Sequence, residues 1–182
     1  MGEANALSDL ADLANAIGDN DQARQDYNAA LGLFQKTQSP LGEANALSGL
    51  GDLEAKLNNV TRAHQCYQNA RSLYVTVPDA LGEANVLIGL GNLEVASRRY
   101  DEARKLYEAA RQLYEKEDDK LGIANTDFQE GKVLGKLGML QTATKMLKQS
   151  AQSYSELALG GLANNATAEW RRLNSTNSPK AQ

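Results

Sequence analysis

The sequence contains one histidine and one cysteine, His64 and Cys66, and they stand only two positions apart. A cysteine nucleophile needs its histidine base within hydrogen-bond reach. Two positions apart on a helix, side chains point about 200° away from each other, so this pair cannot form a catalytic dyad. One histidine and one cysteine also cannot supply the ligand set of a zinc site. We therefore predict no catalytic residue, no metal site and no cofactor.

Two Gly-Leu-Gly triplets, Gly49–Gly51 and Gly89–Gly91, could be mistaken for phosphate-binding loops. Such a loop follows a strand and continues into a Lys-Ser or Lys-Thr pair. Both triplets instead lie inside stretches of helical periodicity, and we interpret their glycines as packing positions. The numerous carboxylates have no desolvated cleft in which their pKa values could shift, so we predict that the protein is not an enzyme.

A repeat of about forty residues positions all of these side chains. The tetrapeptide Gly-Glu-Ala-Asn or a relative recurs at spacings of 40, 40, 40 and 39 residues. Its glycines are Gly2, Gly42, Gly82, Gly122 and Gly161, and its asparagines are Asn5, Asn45, Asn85, Asn125 and Asn164. Internal repetition at this length is typical of a solenoid, in which each unit buries its apolar face against its neighbours.

Each repeat contains two helical patterns. In residues 41–80, apolar side chains recur every three or four positions before and after the polar turn Asn58-Asn59, which predicts an antiparallel helix hairpin. Ser39, Asp79 and Asp119 stand just before the next helix and are predicted to cap it, with Pro40 at a first helical position.

The apolar positions fall at the spacing of a known motif. They are Leu47, Leu50, Gly51, Ala63, Tyr67 and Ala70 in the second repeat, and Leu87, Leu90, Gly91, Ala103, Tyr107 and Ala110 in the third. The chain thus resembles the long form of the tetratricopeptide repeat family, as in Pins-type adaptors and in the arrays of NLR-like (NB-ARC) ATPases. One departure is the column Ala14, Glu54, Glu94 and Leu134, where the family usually has an aromatic residue.

The resemblance implies an all-α, right-handed superhelix of four antiparallel hairpins and a C-terminal capping helix. The predicted hairpins are residues 1–40, 41–80, 81–120 and 121–159, followed by the capping helix 160–173. Residues 1–173 are thus predicted to form one solenoid, in which Trp170 covers the end of the core. Residues 174–182 are polar and are predicted to be a flexible tail.

In this family the first helix of each repeat lines the concave side, so its polar stripe is the predicted binding groove. The predicted contact residues are Asn5, Ser8, Asp12, Asn45, Ser48, Asp52, Lys56, Asn85, Asn92, Asn125, Lys132 and Lys136. The acidic positions favour a protein or peptide partner with lysine or arginine. The Asn5 column has an alternative interpretation, in which each asparagine satisfies a backbone group between repeats.

Charge and hydropathy exclude other partners. The net charge is −4 and no aromatic residues interleave with a basic patch, which argues against nucleic acid. The sequence has no apolar run long enough to cross a membrane and no signal-peptide pattern, so we expect a cytoplasmic protein.

We therefore predict a non-catalytic protein-interaction scaffold that is a fragment of a larger signalling or adaptor protein. The alternatives are the sensor array of an NLR-like ATPase and weak head-to-tail self-association. Residues 1–40 carry six acids and two bases, whereas residues 121–182 carry four acids and seven bases. The first helix is also expected to offer Ala4, Leu7 and Leu10 as an uncovered apolar edge.

Overall fold

The structure is a computed structural model that describes residues 2–176. Within this range it consists of nine α-helices and no strand, which confirms the all-α prediction. The helices are α1 Gly2–Ile17, α2 Asn20–Lys36, α3 Pro40–Lys56, α4 Val60–Thr76, α5 Ala80–Ala96, α6 Tyr100–Lys116, α7 Lys120–Lys136, α8 Leu140–Glu156 and α9 Gly160–Thr176. The last helix extends three residues beyond its predicted end, and the rest of the predicted tail, 177–182, lies outside the described residues.

Tight turns of two or three residues join the helices. In the turn after α3, the backbone N–H of Asn58 donates to Ala55 O at 3.0 Å, and that of Asn59 donates to Glu54 O at 2.8 Å. These bonds satisfy the last carbonyls of the helix, and they require a left-handed residue, here Asn58 with a φ of 62°. Because the turn is so short, α4 folds back against α3 as an antiparallel hairpin.

The helix N-termini bear out two of the three predicted caps. The Asp79 carboxylate accepts the Gly82 N–H at 2.9 Å, and the Asp119 carboxylate accepts that of Gly122 at 3.0 Å. The prediction for Ser39 is wrong, because it occupies the N-cap position but its shorter side chain makes no capping hydrogen bond. Pro40 stands at the start of α3 as predicted, where its missing N–H costs no helical hydrogen bond.

The chain divides into two compact units, of which the first ends at Leu93 and the second begins at Glu94. In the first unit, alanines and a tyrosine of the α1–α2 hairpin pack against residues of α3 and α4. This core consists of Ala11, Ala14, Ala23, Tyr27, Leu50, Leu53 and Cys66. In the second unit, α9 adds Leu173 to a core of Leu134, Ala143 and Leu147, and Trp170 packs against it. One solenoid over residues 1–173 stays a prediction.

The repeated glycines are packing positions, as the sequence indicated. A Cβ atom added to Gly49 would lie 2.5 Å from Cε1 of Tyr27, and one added to Gly89 would lie 2.6 Å from Cζ of Tyr67. Both distances are shorter than a van der Waals contact, so only glycine lets these helices approach the tyrosine rings. A Cβ atom added to Gly51 would lie 2.7 Å from Cδ1 of Tyr67, so the packing interpretation is confirmed at Gly49, Gly51 and Gly89.

The prediction of the uncovered apolar edge of α1 is wrong in two of its three residues. Ala4 is only 1% exposed, and Leu7 packs against the cluster that contains Ala4 and Phe34. The exposed large apolar residues of α1 are Leu10, Leu13 and Ile17, at 53%, 58% and 74% exposure. The helix therefore has two apolar faces, and the sequence pattern alone did not separate them.

Candidate functional site

Two buried tyrosines hold the two acidic residues of the predicted groove. The Tyr27 hydroxyl donates to Oδ1 of Asp12, and the Tyr67 hydroxyl donates to Oδ1 of Asp52 at 2.6 Å. Both rings are only 2% exposed, whereas both aspartates are exposed to solvent. A carboxylate can accept more than one hydrogen bond, so each aspartate is fixed in direction while it retains acceptor capacity for a partner.

The electrostatics follow from this arrangement. Burial, together with the bonded aspartate, raises the pKa of Tyr27 and of Tyr67 above the ordinary tyrosine value, so both hydroxyls remain donors at neutral pH. Desolvation by the surrounding helices raises the pKa of Asp52, the hydrogen bond from Tyr67 offsets part of this rise, and the negative charge of Asp12 adds to it. Asp12 and Asp52 are thus close enough to repel each other, and a cation placed between them would relieve that repulsion.

The asparagines of this surface are also bonded to tyrosines. Oδ1 of Asn45 accepts the Tyr74 hydroxyl at 2.6 Å, and Oδ1 of Asn125 accepts the Tyr154 hydroxyl at 2.7 Å. In each pair the tyrosine belongs to the second helix of the same hairpin. The alternative interpretation of this column was a hydrogen bond to a backbone group between repeats. The amide oxygens of Asn45 and Asn125 instead accept a hydrogen bond from a tyrosine side chain.

The other predicted contact residues on α1, α3 and α5 lie at the surface. Asn5, Asn85 and Asn92 are exposed, and Ser8 and Ser48 are half-buried. We define the polar face of the first unit as the predicted contact residues that lie on these three helices. They are Asn5, Ser8, Asp12, Asn45, Ser48, Asp52, Lys56, Asn85 and Asn92.

The predicted lysines have different surroundings. Lys56 donates to the backbone O of Asn15 at 2.6 Å and to its Oδ1 at 3.1 Å, so it joins α3 to α1. In the second unit, Lys132 donates to Gln129 at 3.2 Å and lies 5.1 Å from the centroid of the Phe128 ring.

Lys132 and Lys136 lie near a carboxylate of the last helix. Together with the bonded Arg172, which has the largest effect, they lower the pKa of Glu169 on α9. Asn125, Lys132 and Lys136 thus belong to a surface that carries cations, in contrast to the acidic polar face of the first unit.

A buried ion pair replaces the aromatic residue that the family usually has in the Glu54 column. The Glu54 side chain is fully buried, and its Oε1 accepts Nε of Arg24 at 2.8 Å, while its Oε2 accepts Nδ2 of Asn59 at 2.7 Å. The hydrogen bond from Arg24 is the main cause that lowers the pKa of Glu54. Because Arg24 lies on α2 and Glu54 on α3, the pair joins two hairpins and is structural.

The sequence analysis missed the tyrosines as part of the site. A constant spacing in the sequence could have revealed them. The tyrosine lies 15 residues after the aspartate in both acidic pairs and 29 residues after the asparagine in both amide pairs. Among the described residues, no group of three or more His, Cys, Asp and Glu side chains could hold a metal ion. No helix in the described part of the chain is both long and apolar enough to span a membrane.

Comparison with known proteins defines the class as a helical-repeat scaffold. The family profile described as "Tetratricopeptide repeat" matches residues 2–75 and 80–156. The chain belongs to the tetratricopeptide repeat family, whose fold is a protein-interaction repeat and is generally non-catalytic. A search of proteins with curated functions finds no match.

Several solved structures share the fold. Aspartyl phosphate phosphatase F from Bacillus subtilis is 12% identical with a TM-score of 0.81, and the match covers 96% of this chain and 50% of that one. A signal transduction ATPase with numerous domains from Pyrococcus horikoshii, which has a tetratricopeptide repeat sensor, is 15% identical with a TM-score of 0.78 and is matched over 90% and 25% of the two chains.

A third similar structure contains a bound partner. It is a Rap protein complexed with competence and sporulation factor, 11% identical with a TM-score of 0.70, and the match covers 96% of this chain and 64% of that one. This chain spans 50% of the length of the phosphatase and 25% of the length of the ATPase. Because the three structures are only 11% to 15% identical to this chain, the similarity shows a shared fold alone.

Proposed function

We propose that the polar face of the first unit binds a protein segment that carries lysine or arginine. The observation that carries this proposal is the pair of hydrogen bonds from Tyr27 and Tyr67, which fix the carboxylates of Asp12 and Asp52 at the surface. A bound lysine or arginine would form charge-assisted hydrogen bonds with these carboxylates, and such bonds are stronger than neutral ones.

Preorganisation supports this choice. An exposed carboxylate normally loses side-chain entropy when it pairs with a cation, and this loss removes much of the gain from an ion pair. Since the tyrosines already restrict Asp12 and Asp52, less entropy remains to be lost on binding. Desolvation is the main cause that raises the pKa of Asp52, and the charge of Asp12 adds to it; an incoming cation would relieve the repulsion between the two carboxylates.

The neutral residues of the polar face suit a polypeptide partner. Ser8, Ser48 and Asn92 supply hydroxyl and amide groups on three successive first helices, and such groups can bond the backbone of an extended or helical segment. Family membership supports the same class of function, as does the Rap protein structure with its bound factor. An adaptor role in signalling, without catalysis, is part of the proposal.

The test is selection of binding segments from a random peptide library, followed by affinity measurement with the Asp12→Asn/Asp52→Asn variant. Asparagine keeps the acceptor oxygen for each tyrosine and removes only the charge. We expect selected segments to be rich in lysine or arginine, and the double variant to bind them about 10- to 100-fold more weakly, since hydrogen bonds to charged groups contribute about 1.5–3 kcal/mol.

The matched control is Asp101→Asn/Glu117→Gln, which removes the same charge from exposed positions outside the first unit. It should lower the affinity only slightly, through the loss of long-range attraction. Equal losses in the two double variants, or selected segments without basic residues, would contradict the proposal.

A further inference from the structure

The contact between α6 and α7, inside the second unit, is charged where the contact between α2 and α3 is apolar. On α3, Leu47 and Leu50 are 8% and 4% exposed, and Leu50 packs against the preceding hairpin. Two repeats later, the equivalent positions of α7 hold Asp127, which is 5% exposed, and Glu130, which is half-buried. Two acids thus stand where α3 presents leucines to its neighbour.

The facing helix α6 differs from α2 in the same way. Leu31 of α2 packs against the apolar cluster that contains Phe34, and its equivalent on α6 is Arg111. Asn28 of α2 is replaced on α6 by Glu108. Both sides of the α6–α7 contact have therefore exchanged apolar or neutral residues for charged ones.

The acids of α7 lie closer to the centre of the contact than those of the earlier first helices. There, Glu54 pairs with Arg24 at 2.8 Å and Glu83 pairs with Arg71 at 3.1 Å, each near one end of its helix. In α7 both of these acid positions are apolar. They are occupied by Ile123 and Leu134. The acids of α7 stand instead one helical turn further in, in the two columns that leucines occupy in the earlier repeats.

Asp127 is the better compensated of the two acids. Its Oδ1 accepts Nε of Arg111 at 2.9 Å, and the same guanidinium pairs with Glu115 at 2.9 Å. Arg104 and Arg111 also attract Glu130, but within the described part of the chain they act on it through their charge and not through a hydrogen bond. Glu130 is therefore the acid that is held less firmly in its ionised form.

Burial and like charge both oppose ionisation of these acids. Desolvation is the main cause that raises the pKa of Glu130, and the charges of Glu108 and Asp127 add to it. The two arginines of α6 offset only part of this rise. Desolvation also raises the pKa of Asp127, although Arg111 lowers it. Four carboxylates thus share two guanidinium groups, and the cluster keeps a negative charge at neutral pH.

On its other side, α7 packs against α8 through uncharged side chains. Leu147 of α8 lies against Gly131, and Ser150 donates to the backbone O of Ala124 at 2.8 Å. The charged residues of α8 are all exposed to solvent. They are Lys145, Lys148 and Glu156.

The charged side chains of α9 are paired with one another or exposed. Glu169 pairs with Arg172 at 2.6 Å, and Arg171 is exposed. The lysines of α7 act on Glu169 as well. The charges that act on Glu130 thus come from α6 and from Asp127.

We infer that the α6–α7 contact is a pH-sensitive joint, at which uptake of a proton by Glu130 holds the α7–α8 hairpin more firmly against α6. At neutral pH the carboxylates of this joint repel one another, so α7 and α8 should unfold locally more often than a contact lined by leucines would allow. Isolated helices of this length are marginal in water, so a hairpin that loses its neighbour also loses its helical hydrogen bonds. Amide exchange can therefore detect the opening.

The direction of the pH effect follows from the two acids. Because the pKa of each is raised in the folded state, the protonated form is the one that stabilises the joint. This contribution is fully present below the ordinary values of 4.5 for Glu130 and 3.8 for Asp127, and it is lost as the pH rises through the folded-state values. Mild acidification should thus strengthen the joint.

The experiment is hydrogen–deuterium exchange of the full chain, followed by mass spectrometry at pH 7, 6 and 5. The protection of each helix is corrected for the intrinsic exchange rate at each pH, so that it reports only the opening equilibrium. The series stops at pH 5 because Glu169, in the same unit, has a pKa lowered from 4.5 and keeps its pair with Arg172 charged there. From pH 7 to pH 5, the protection of α7 and α8 should rise at least about threefold.

Three variants assign this rise to the joint. Glu130→Gln keeps the shape of the side chain without its charge, so the protection of α7 and α8 at pH 7 should increase at least about threefold. Asp127→Asn/Glu130→Gln should abolish the response of these helices to pH. The matched control is Glu102→Gln, which removes the same charge from an exposed position of α6 and should leave the protection and its pH response unchanged.

Three results would overturn the inference. One is protection of α7 and α8 that does not rise on acidification, or that rises equally in Asp127→Asn/Glu130→Gln, because other groups would then be responsible. The second is an equal effect of Glu130→Gln and Glu102→Gln. The third is an effect of Glu130→Gln that extends equally to α2 and α3, since the chain would then open as a whole and not at this joint.

Discussion

The acidic side chains of the first unit serve two different purposes, and their partners distinguish them. Asp52 is exposed and bonded to a neutral tyrosine, so its negative charge is still available to a ligand. Glu54, two residues later, is buried and bonded to Arg24, so its charge is neutralised within the fold. Neighbouring acids of similar chemistry thus divide between a candidate binding surface and a structural contact.

The structural role of Glu54 predicts a pH-dependent loss of stability in Glu54→Gln. At neutral pH the variant should lower the free energy of unfolding by about 2–3 kcal/mol, because Arg24 loses its charged partner. The pKa of Glu54 is lowered in the folded state from an ordinary value of 4.5. Its contribution is therefore present above pH 4.5 and is lost as the pH falls towards the folded-state pKa.

Urea denaturation of both proteins between pH 7 and pH 3 measures this difference. The two unfolding free energies should converge at the acid end of the series. A difference that stays constant over the whole range would mean that the side chain acts through packing and not through charge.

Trp170 allows a second prediction at the residue scale. Its ring is half-buried against the α7–α8 core, and Nε1 is buried with no hydrogen-bond partner among the described residues. Trp170→Ala should destabilise the protein by about 2–3 kcal/mol, below the full range for a completely buried tryptophan. Trp170→Phe should cost about 1 kcal/mol or less, since it keeps most of the ring and removes the unpartnered N–H.

Thermal denaturation measures how far the alanine and the phenylalanine variants each lower the stability. The native protein should also show blue-shifted tryptophan fluorescence, because the ring is partly buried. If alanine and phenylalanine cost the same, the ring would not be a packing element.

The sequence predicted the residue positions of the polar face but not their hydrogen bonds. Asp12 and Asp52 could be assigned to one stripe because the helical period determines which side chains share a face. Their tyrosine partners lie on another helix, and the distance between helices depends on packing that periodicity does not describe. For the same reason the partner of Asn45 was not predicted.

At the scale of the elements, the repeat made the helices predictable. The turns are linkers of two or three residues, and their composition varies, since the linker 157–159 is apolar and places an alanine, Ala158, at a φ of 60°. The faces of α1 were not predictable, because internal helices contact neighbours on both sides and their apolar pattern is therefore broad. Leu10 resembles Leu50 in sequence, but Leu50 is covered by the α1–α2 hairpin and is 4% exposed, whereas Leu10 is 53% exposed.

The glycines offer a test of helix packing with an internal control. Gly49→Ala should be destabilising by about 1–3 kcal/mol, because the new methyl group would overlap the Tyr27 ring. Gly32→Ala in α2 should instead be stabilising by about 0.5–1 kcal/mol, because a Cβ there meets nothing within 4 Å and alanine favours the helix.

Urea unfolding of both alanine variants measures whether each substitution lowers or raises the free energy of unfolding. If Gly49→Ala were neutral, the close approach of α3 to Tyr27 would not contribute to stability.

At the scale of the whole molecule, the two units present different charges on the predicted contact residues. The first unit has Asp12 and Asp52, with Lys56 engaged by Asn15. The second has Lys132 and Lys136, with no acid among its predicted contacts. A basic segment should therefore bind to the first unit and avoid the second.

The most direct test of the proposed function is an amide NMR titration with a lysine- or arginine-rich segment selected from the peptide library. The account predicts chemical-shift changes in α1 and α3 around Asp12 and Asp52, little change in α7 and α9, and loss of the changes in Asp12→Asn/Asp52→Asn. Binding should also weaken as the pH falls through the raised pKa of Asp52. Changes centred on Lys132 and Lys136, or changes that persist in the double variant, would contradict it.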